Sequence, residues 1–201
     1  MIKNIIFDIG NVLVYFAWKE TMIELGFDNA CIDALDKGFI NHSFWDELDL
    51  GVRSEDDVID SVCEAIPEYS DNIRLFWKNR ILTIRPYDYC EYWVKDLKRR
   101  GYNVYLLTNY PVTLFDESVK TSFPFYDYID GKVVSSHVKI RKPDRGIYET
   151  LFKKYSLNPG ESIFFDDRPV NITGAKAVGL NAFVFEGYEK ADAIIKELGE
   201  R

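Results

Sequence analysis

Five short apolar runs punctuate the chain: KNIIFD ending at Asp8, NVYLLT ending at Thr108, GKVVSS near Ser135, SIFFDD ending at Asp166 and NAFVFE ending near Glu186. Each is nearly continuous rather than alternating, as in parallel strands covered on both faces. Between them the apolar positions fall at helical spacing. In DYCEYWVKDLKRRG, Trp93, Val94 and Leu97 share a face, Glu91 pairs with Lys95 and Asp96 with Arg100, and Gly101 ends the pattern. DRGIYETLFKKYSL puts Ile147, Leu151 and Tyr155 on a stripe, and VNITGAKAVGL and KADAIIKELG complete the series. Strand and helix in alternation predict an α/β fold with a doubly wound parallel sheet.

The segment 15–85 interrupts this alternation. It shows several helical patterns and no strand pattern; in SEDDVIDSVCEAI, Ser54 is placed to cap a helix with acids in its first turn and Val58, Val62, Cys63 and Ile66 on one side. Residues 1–14 and 86–201 therefore read as an α/β core domain, and 15–85 as a helical cap domain inserted after the first strand.

Composition narrows the function. With 201 residues, 47% of them hydrophobic, the chain can bury a sizeable interior. The net charge of −8 argues against nucleic acid or an anionic membrane as a partner. Cys31, Cys63 and Cys90 are odd in number, far apart and without CxxC spacing, so they read as core thiols rather than a disulfide framework or zinc site. The apolar stretch of MIKNIIFDIG is too short for a signal peptide, and no later run approaches bilayer length. A cytoplasmic monomer or small homo-oligomer is expected.

In a doubly wound sheet, ligands bind outside the carboxyl ends of the strands. Those ends carry Asp8, Thr108 with Asn109, and Asp166 with Asp167. Asp8 alone reads equally as a turn residue, and Thr108 with Asn109 as a helix cap. Together, three carboxylates repel one another unless a cation joins them, which hard divalent ions with oxygen ligands do well. Lys142 in KIRKPD, held extended by Pro143, is the candidate basic member, though taken alone it reads as an ordinary solvated lysine. One divalent cation and one ammonium against three carboxylates sum to about zero, which admits a phosphate dianion. Pro111 is placed to open a helix whose free N–H groups lie near the Thr108 hydroxyl.

In order along the chain, FDIGNVL, LLTN, KIRKPDRGIY and FFDDRPVNITGAKAVGL resemble the four motifs of the haloacid dehalogenase (HAD) superfamily of phosphotransferases, a likeness that spans nearly its whole length. The resemblance implies a phosphatase in which Asp8 attacks phosphorus and forms an aspartyl-phosphate. It implies Mg²⁺ held by Asp8, the Gly10 carbonyl and Asp167, with Asp166 acting directly or through water. Thr108 and the amide of Asn109 would hold phosphate oxygens, and Lys142 would bridge nucleophile and phosphate. Asn171 would either orient the last motif's loop or cap its helix.

One position departs from the superfamily pattern: Gly10 stands where most of its phosphatases carry a second Asp as general acid. FDxGNV and a helical cap resemble the bacterial sugar-phosphate (α-glucose-1-phosphate) phosphatase branch, where an anomeric oxygen leaves easily. The cap is expected to choose the substrate, a small phosphorylated metabolite, and its Phe16, Trp18, Phe44, Trp45, Phe76 and Trp77 either fill a core or meet sugar rings. Neither His42 nor His137 is singled out as a substitute acid. Two other readings follow from Gly10: a non-catalytic phosphometabolite-binding protein, and a dehalogenase, against which the FFDD acid pair argues.

Overall fold

The structure, a computed structural model, describes residues 1–199. Five parallel strands form the central sheet: β1 (Asn4–Phe7), β4 (Asn103–Thr108), β5 (Gly131–Val134), β6 (Ser162–Asp166) and β7 (Asn181–Val184), in the order β5-β4-β1-β6-β7. All five are the runs expected from the sequence. β1 lies at the centre, with Phe7 in register with Leu106 on one side and Phe165 on the other.

Side chains along β1 alternate, so Ile5 and Phe7 enter one layer and Ile6 the other. The first layer packs on α6 (Cys90–Arg99), α7 (Val112–Thr121) and α11 (Tyr188–Gly199) through Trp93, Leu97, Phe115 and Ile195. The second packs on α9 (Arg145–Tyr155) and α10 (Pro169–Ala177) through Ile147, Leu151 and Ile172. Both faces are buried, which is why the strands read as unbroken apolar runs.

A polar tie joins the two ends of the first layer. Asp192 on α11 accepts from Trp93 Nε1 at 3.2 Å, Arg100 Nη1 at 2.6 Å and Lys196 Nζ at 2.7 Å. Although burial opposes it, these donors hold the Asp192 carboxyl below its ordinary value. That stabilisation is present above the unfolded carboxyl range near pH 4 and is lost as pH falls through the native value. Asp192→Ala should therefore cost about 2 kcal/mol at pH 7, with the gap from wild type closing at acid pH. Urea denaturation at pH 7 and pH 3 measures this; an equal gap at both would show that the charge contributes nothing.

Between β1 and α6 the chain builds α1 (Trp18–Glu24), α2 (Asn29–Leu35), α3 (Ser43–Leu50), α4 (Glu55–Ala65) and α5 (Ser70–Lys78) around their own apolar cluster, with Phe39 and Phe76 at its centre. Ser54 caps α4 as expected, its Oγ accepting from Asp57 N at 3.1 Å. Two of the expected thiols, Cys31 and Cys63, are buried here, and Cys90 is buried against the sheet.

The expectation that this segment has no strand is corrected at its two ends. β2 (Val14–Phe16) and β3 (Ile84–Pro86) pair antiparallel, Phe16 opposite Ile84, and form a narrow ribbon where the chain leaves and re-enters the core. Three-residue strands whose partners lie about seventy positions apart carry no readable periodicity.

Candidate active site

The site grows from the carboxyl end of β1. Asp8 N donates to Phe165 O at 2.9 Å, carrying the ladder one residue past the strand, and Asp8 Oδ1 accepts from Ile9 N at 2.7 Å. The chain then turns sharply: Asn11 has φ of 55°, and its side chain receives Phe16 N on Oδ1 and donates Nδ2 to Asp167 Oδ2 at 3.0 Å. The turn at Gly10 and Asn11 thus aims Asp8 at the strand ends and ties it to the last motif.

Lys142 is buried, with its side chain 0% exposed. Its Nζ reaches three oxygens: Leu107 O at 2.8 Å, Asp166 Oδ2 at 2.6 Å and Asp8 Oδ1 at 3.0 Å. An ammonium has three protons, so all are satisfied. Burial pulls the Lys142 ammonium down, but Asp166 and Asp8 more than offset it and hold it above the ordinary lysine value. The Asn109 side chain fixes the lysine's backbone, donating Nδ2 to Lys142 O at 3.0 Å and accepting Lys142 N at 2.8 Å.

The acid pair divides its work. Asp166 is fully buried and saturated, accepting from Lys142, from Arg168 N at 2.9 Å and from Asn171 Nδ2 at 2.9 and 3.1 Å. Asn171 is therefore not a helix cap; it sits inside α10 and orients Asp166. Asp167 is half-buried and lines the cleft. Asp8, Asp166 and Asp167 can each present an oxygen within 4.8 Å of the others. Burial raises the Asp8 carboxyl, Lys142 opposes the rise, and Asp166 and Asp167 add to it. Asp167 is raised by burial too, against its hydrogen bond from Asn11.

Three carboxylates beside one ammonium leave two charges uncompensated, a donor set that fits a hard divalent cation. Thr108 supplies the other unfilled valence. Its hydroxyl lies close enough to favour the charged form of Asp8, yet Oγ1 is buried and makes no hydrogen bond of ordinary geometry. Buried hydroxyls are nearly always paired, so an orphan at a strand end marks a place for a ligand oxygen.

A cleft of about 550 Å³ opens over these groups. Asp8, Gly10, Asn109 and Asp167 form its floor, and residues of the inserted helices form its roof. Of the six aromatics expected to serve either purpose, Phe16, Trp18 and Trp45 line the cleft, whereas Phe76 and Trp77 belong to the insertion's own core and Phe44 packs against it. His42 lines the cleft and caps α3, with Nδ1 near Phe44 N at 3.4 Å; His137 lies on α8 (Ser135–Val138) and faces Phe115 and Asp116.

Helix α3 is fastened to the core by several bonds. Arg141 forks onto Asp46 at 2.7 and 2.8 Å, Ser135 Oγ donates to Asp49 O at 2.5 Å, and Lys139 Nζ donates to Gly51 O. Gly51 ends α3 at φ 63°, and a Cβ there would come within 2.8 Å of Ser136 Cβ, so only glycine permits this approach. Sequence reasoning missed Asn11, Asp49, Ser135 and Arg141. The GN turn hinted at Asn11; the others act through contacts between segments some 90 residues apart and leave no local signal.

The chain covers known proteins almost end to end. A D-ribitol-5-phosphate phosphatase of Bacteroides thetaiotaomicron is 30% identical over 91% of this chain and 91% of its own. A sesquiterpene phosphatase of Aspergillus oryzae is 28% identical, covering 89% and 87%. The crystal structure of a HAD family enzyme of Bacteroides thetaiotaomicron in complex with magnesium and inorganic phosphate superposes with a TM-score of 0.73 at 22% identity, covering 92% of this chain and 94% of that one. The model of the haloacid dehalogenase-like hydrolases matches residues 2–179, and the chain belongs to that family.

Proposed function

We propose that the protein is a Mg²⁺-dependent phosphomonoester hydrolase that acts on a small phosphorylated metabolite, a sugar phosphate, through an aspartyl-phosphate on Asp8. The observation that carries this reading is the pairing of a buried Lys142 with Asp8 beside the orphan hydroxyl of Thr108. A buried lysine that holds a carboxylate at a strand end pre-positions a nucleophile and leaves its ammonium ready for phosphate oxygens. The phosphatases among the relatives and the magnesium and phosphate in a related fold point the same way.

Asp8 attacks phosphorus, the ester oxygen leaves, and water then attacks the aspartyl-phosphate to release phosphate and restore the carboxylate. Thr108 Oγ1 donates to a phosphate oxygen, and so does the backbone N–H of Asn109, whose side chain is committed to Lys142. Asp8, the Gly10 carbonyl and Asp167 would hold Mg²⁺, while Asp166, saturated by Lys142, Arg168 N and Asn171, would keep Lys142 in place. When bound, Mg²⁺ screens the charge between carboxylate and phosphate and stabilises the charge that develops on the transferring group. Residues 15–85 act as the cap. Trp18 and Trp45 beside Asn41, His42 and Ser43 give the roof apolar faces and hydrogen-bonding groups together, which suits a polyol or sugar better than a purely apolar ester.

Hydrolysis of p-nitrophenyl phosphate with Mg²⁺, and in excess EDTA, tests the reading, followed by a screen of phosphorylated sugars and polyols. Activity is expected only with metal, and Asp167→Asn should raise the Mg²⁺ needed for half-maximal rate by roughly 10- to 100-fold. Full activity in EDTA would point to dehalogenase-like or another metal-free chemistry, and no turnover of any phosphate ester to a binding protein.

A further inference from the structure

Asp49, near the C-terminal end of α3, differs from the other acids of the cleft. Asp8, Asp46 and Asp167 each have a partner: Lys142, Arg141 and Asn11. Asp49 is 7% exposed and lines the cleft, and its carboxyl has no hydrogen bond or ion pair among the described residues. Its backbone, by contrast, is pinned to the core through the Ser135 bond to its carbonyl, with the Arg141 and Lys139 contacts on either side. A carboxyl carried on a backbone held this firmly, in a residue buried to more than nine-tenths and with no partner of its own, is placed to meet a group of the substrate.

Gly10 presents no side chain to the floor of the cleft. Gly10 is not held there by strain or crowding: its φ is not positive, and a Cβ would meet nothing within 4 Å. An acid would fit at that position, yet the chain has none. We propose that Asp49, reaching down from the cap, is the general acid that protonates the oxygen leaving phosphorus. This rests on the phosphatase reading above and adds the residue that reading lacks.

The protonation state agrees with the geometry. Burial pushes the Asp49 carboxyl up to about 8; Asp46 adds to the rise, Arg141 opposes it, and Asp8 and Lys142 follow with smaller effects of opposite sign. The C-terminal end of α3 also disfavours a negative charge. Asp49 therefore carries a proton at neutral pH. In the first half-reaction the Asp8–phosphorus bond forms, the bond from phosphorus to the ester oxygen breaks, and the Asp49 proton passes to that oxygen, giving an alcohol and the Asp49 carboxylate. In the second, that carboxylate takes a proton from the attacking water, the Asp8–phosphorus bond breaks, and phosphate and protonated Asp49 are restored.

The test is kcat/KM, which reports the first half-reaction, for phosphate esters graded in leaving-group pKa from p-nitrophenol to primary alcohols, with wild type, Asp49→Asn and Asp8→Asn. The wild type should show a shallow dependence on leaving group. Asp49→Asn should lose about 10²- to 10⁴-fold on primary alkyl phosphates and less than about 10-fold on p-nitrophenyl phosphate, so its slope steepens. A steep wild-type slope overturns the proposal without recourse to any variant. A loss in Asp49→Asn that is uniform across the series, or confined to KM, makes Asp49 a substrate-binding residue and overturns it as well. A wild type that cleaves none of the esters defeats the phosphatase reading itself, whereas Asp8-dependent turnover that Asp49→Asn leaves unchanged across the series defeats only the assignment of Asp49.

Discussion

Asp8→Asn should eliminate phosphate-ester hydrolysis, with a loss of roughly 10⁴- to 10⁶-fold, the scale on which catalytic nucleophiles fail when replaced. The variant keeps the volume of the side chain and removes only the attacking charge, so substrate binding should survive while turnover does not. Stability should move the other way. Burial is the largest influence on the Asp8 carboxyl and raises it, so in metal-free protein the charged form is a cost to the folded state. That cost is absent below the unfolded carboxyl value, grows as pH rises, and is complete above the native value. Asn removes it, and metal-free Asp8→Asn should unfold a few degrees higher than wild type at pH 8, with the advantage fading towards pH 4. Steady-state rates and thermal unfolding in EDTA check both parts. A variant that keeps near wild-type rate would remove the covalent mechanism, and one less stable at pH 8 would show that the Lys142 pairing outweighs burial.

Lys142→Met should be the most damaging single change to the molecule as a whole. It keeps an unbranched chain of similar length in the same apolar slot, but it strips Asp8 and Asp166 of their shared counter-charge and leaves Leu107 O without its donor. Removing one member of a buried ion pair typically costs about 3–5 kcal/mol, and here the ammonium serves two carboxylates. Activity should fall to background, because nothing remains to hold Asp8 or to meet the phosphate. Lys142→Arg should not rescue it: the lysine side chain is wholly buried, and a planar guanidinium needs a wider site. Urea denaturation and turnover of p-nitrophenyl phosphate measure the two effects. A Lys142→Met protein as stable as wild type would mean that Asp8 and Asp166 simply take up protons when their partner is lost.

Much of this was legible along the chain because the fold places its chemistry at strand ends, and strand ends are visible as the points where an apolar run meets a polar residue. Asp8, Thr108 and Asp166 were found in this way, and the alternation of strand and helix was enough to bring them to one edge of the sheet. Lys142 was harder. None of its neighbours in KIRKPD is buried, and its own complete burial follows from Asn109 clamping its backbone and from the three acceptors that receive its ammonium. The division between Asp166 and Asp167 could not be read at all. Adjacent residues at a strand end differ only in which way the backbone turns them, and here one turns inward to Lys142 and Asn171 while the other turns outward to the cleft and Asn11.

The sequence by itself determined the five parallel strands, the helices that cover them, the helical insertion after the first strand and the set of polar residues at the sheet's edge. These follow from local periodicity, capping and the burial each segment requires, and such properties are written into consecutive residues. Only the tertiary structure decided how the insertion meets the core. The β2–β3 ribbon, the Arg141–Asp46 fork and the bond from Ser135 to Asp49 join segments far apart in the chain, and each depends on the angle at which two packed bodies come to rest. Asp49 shows the difference most plainly. In the sequence it is one acid among several in SFWDELDL; the packing of α3 against the core buries it, raises its pKa and leaves it lining the cleft with Asp8 and without a partner.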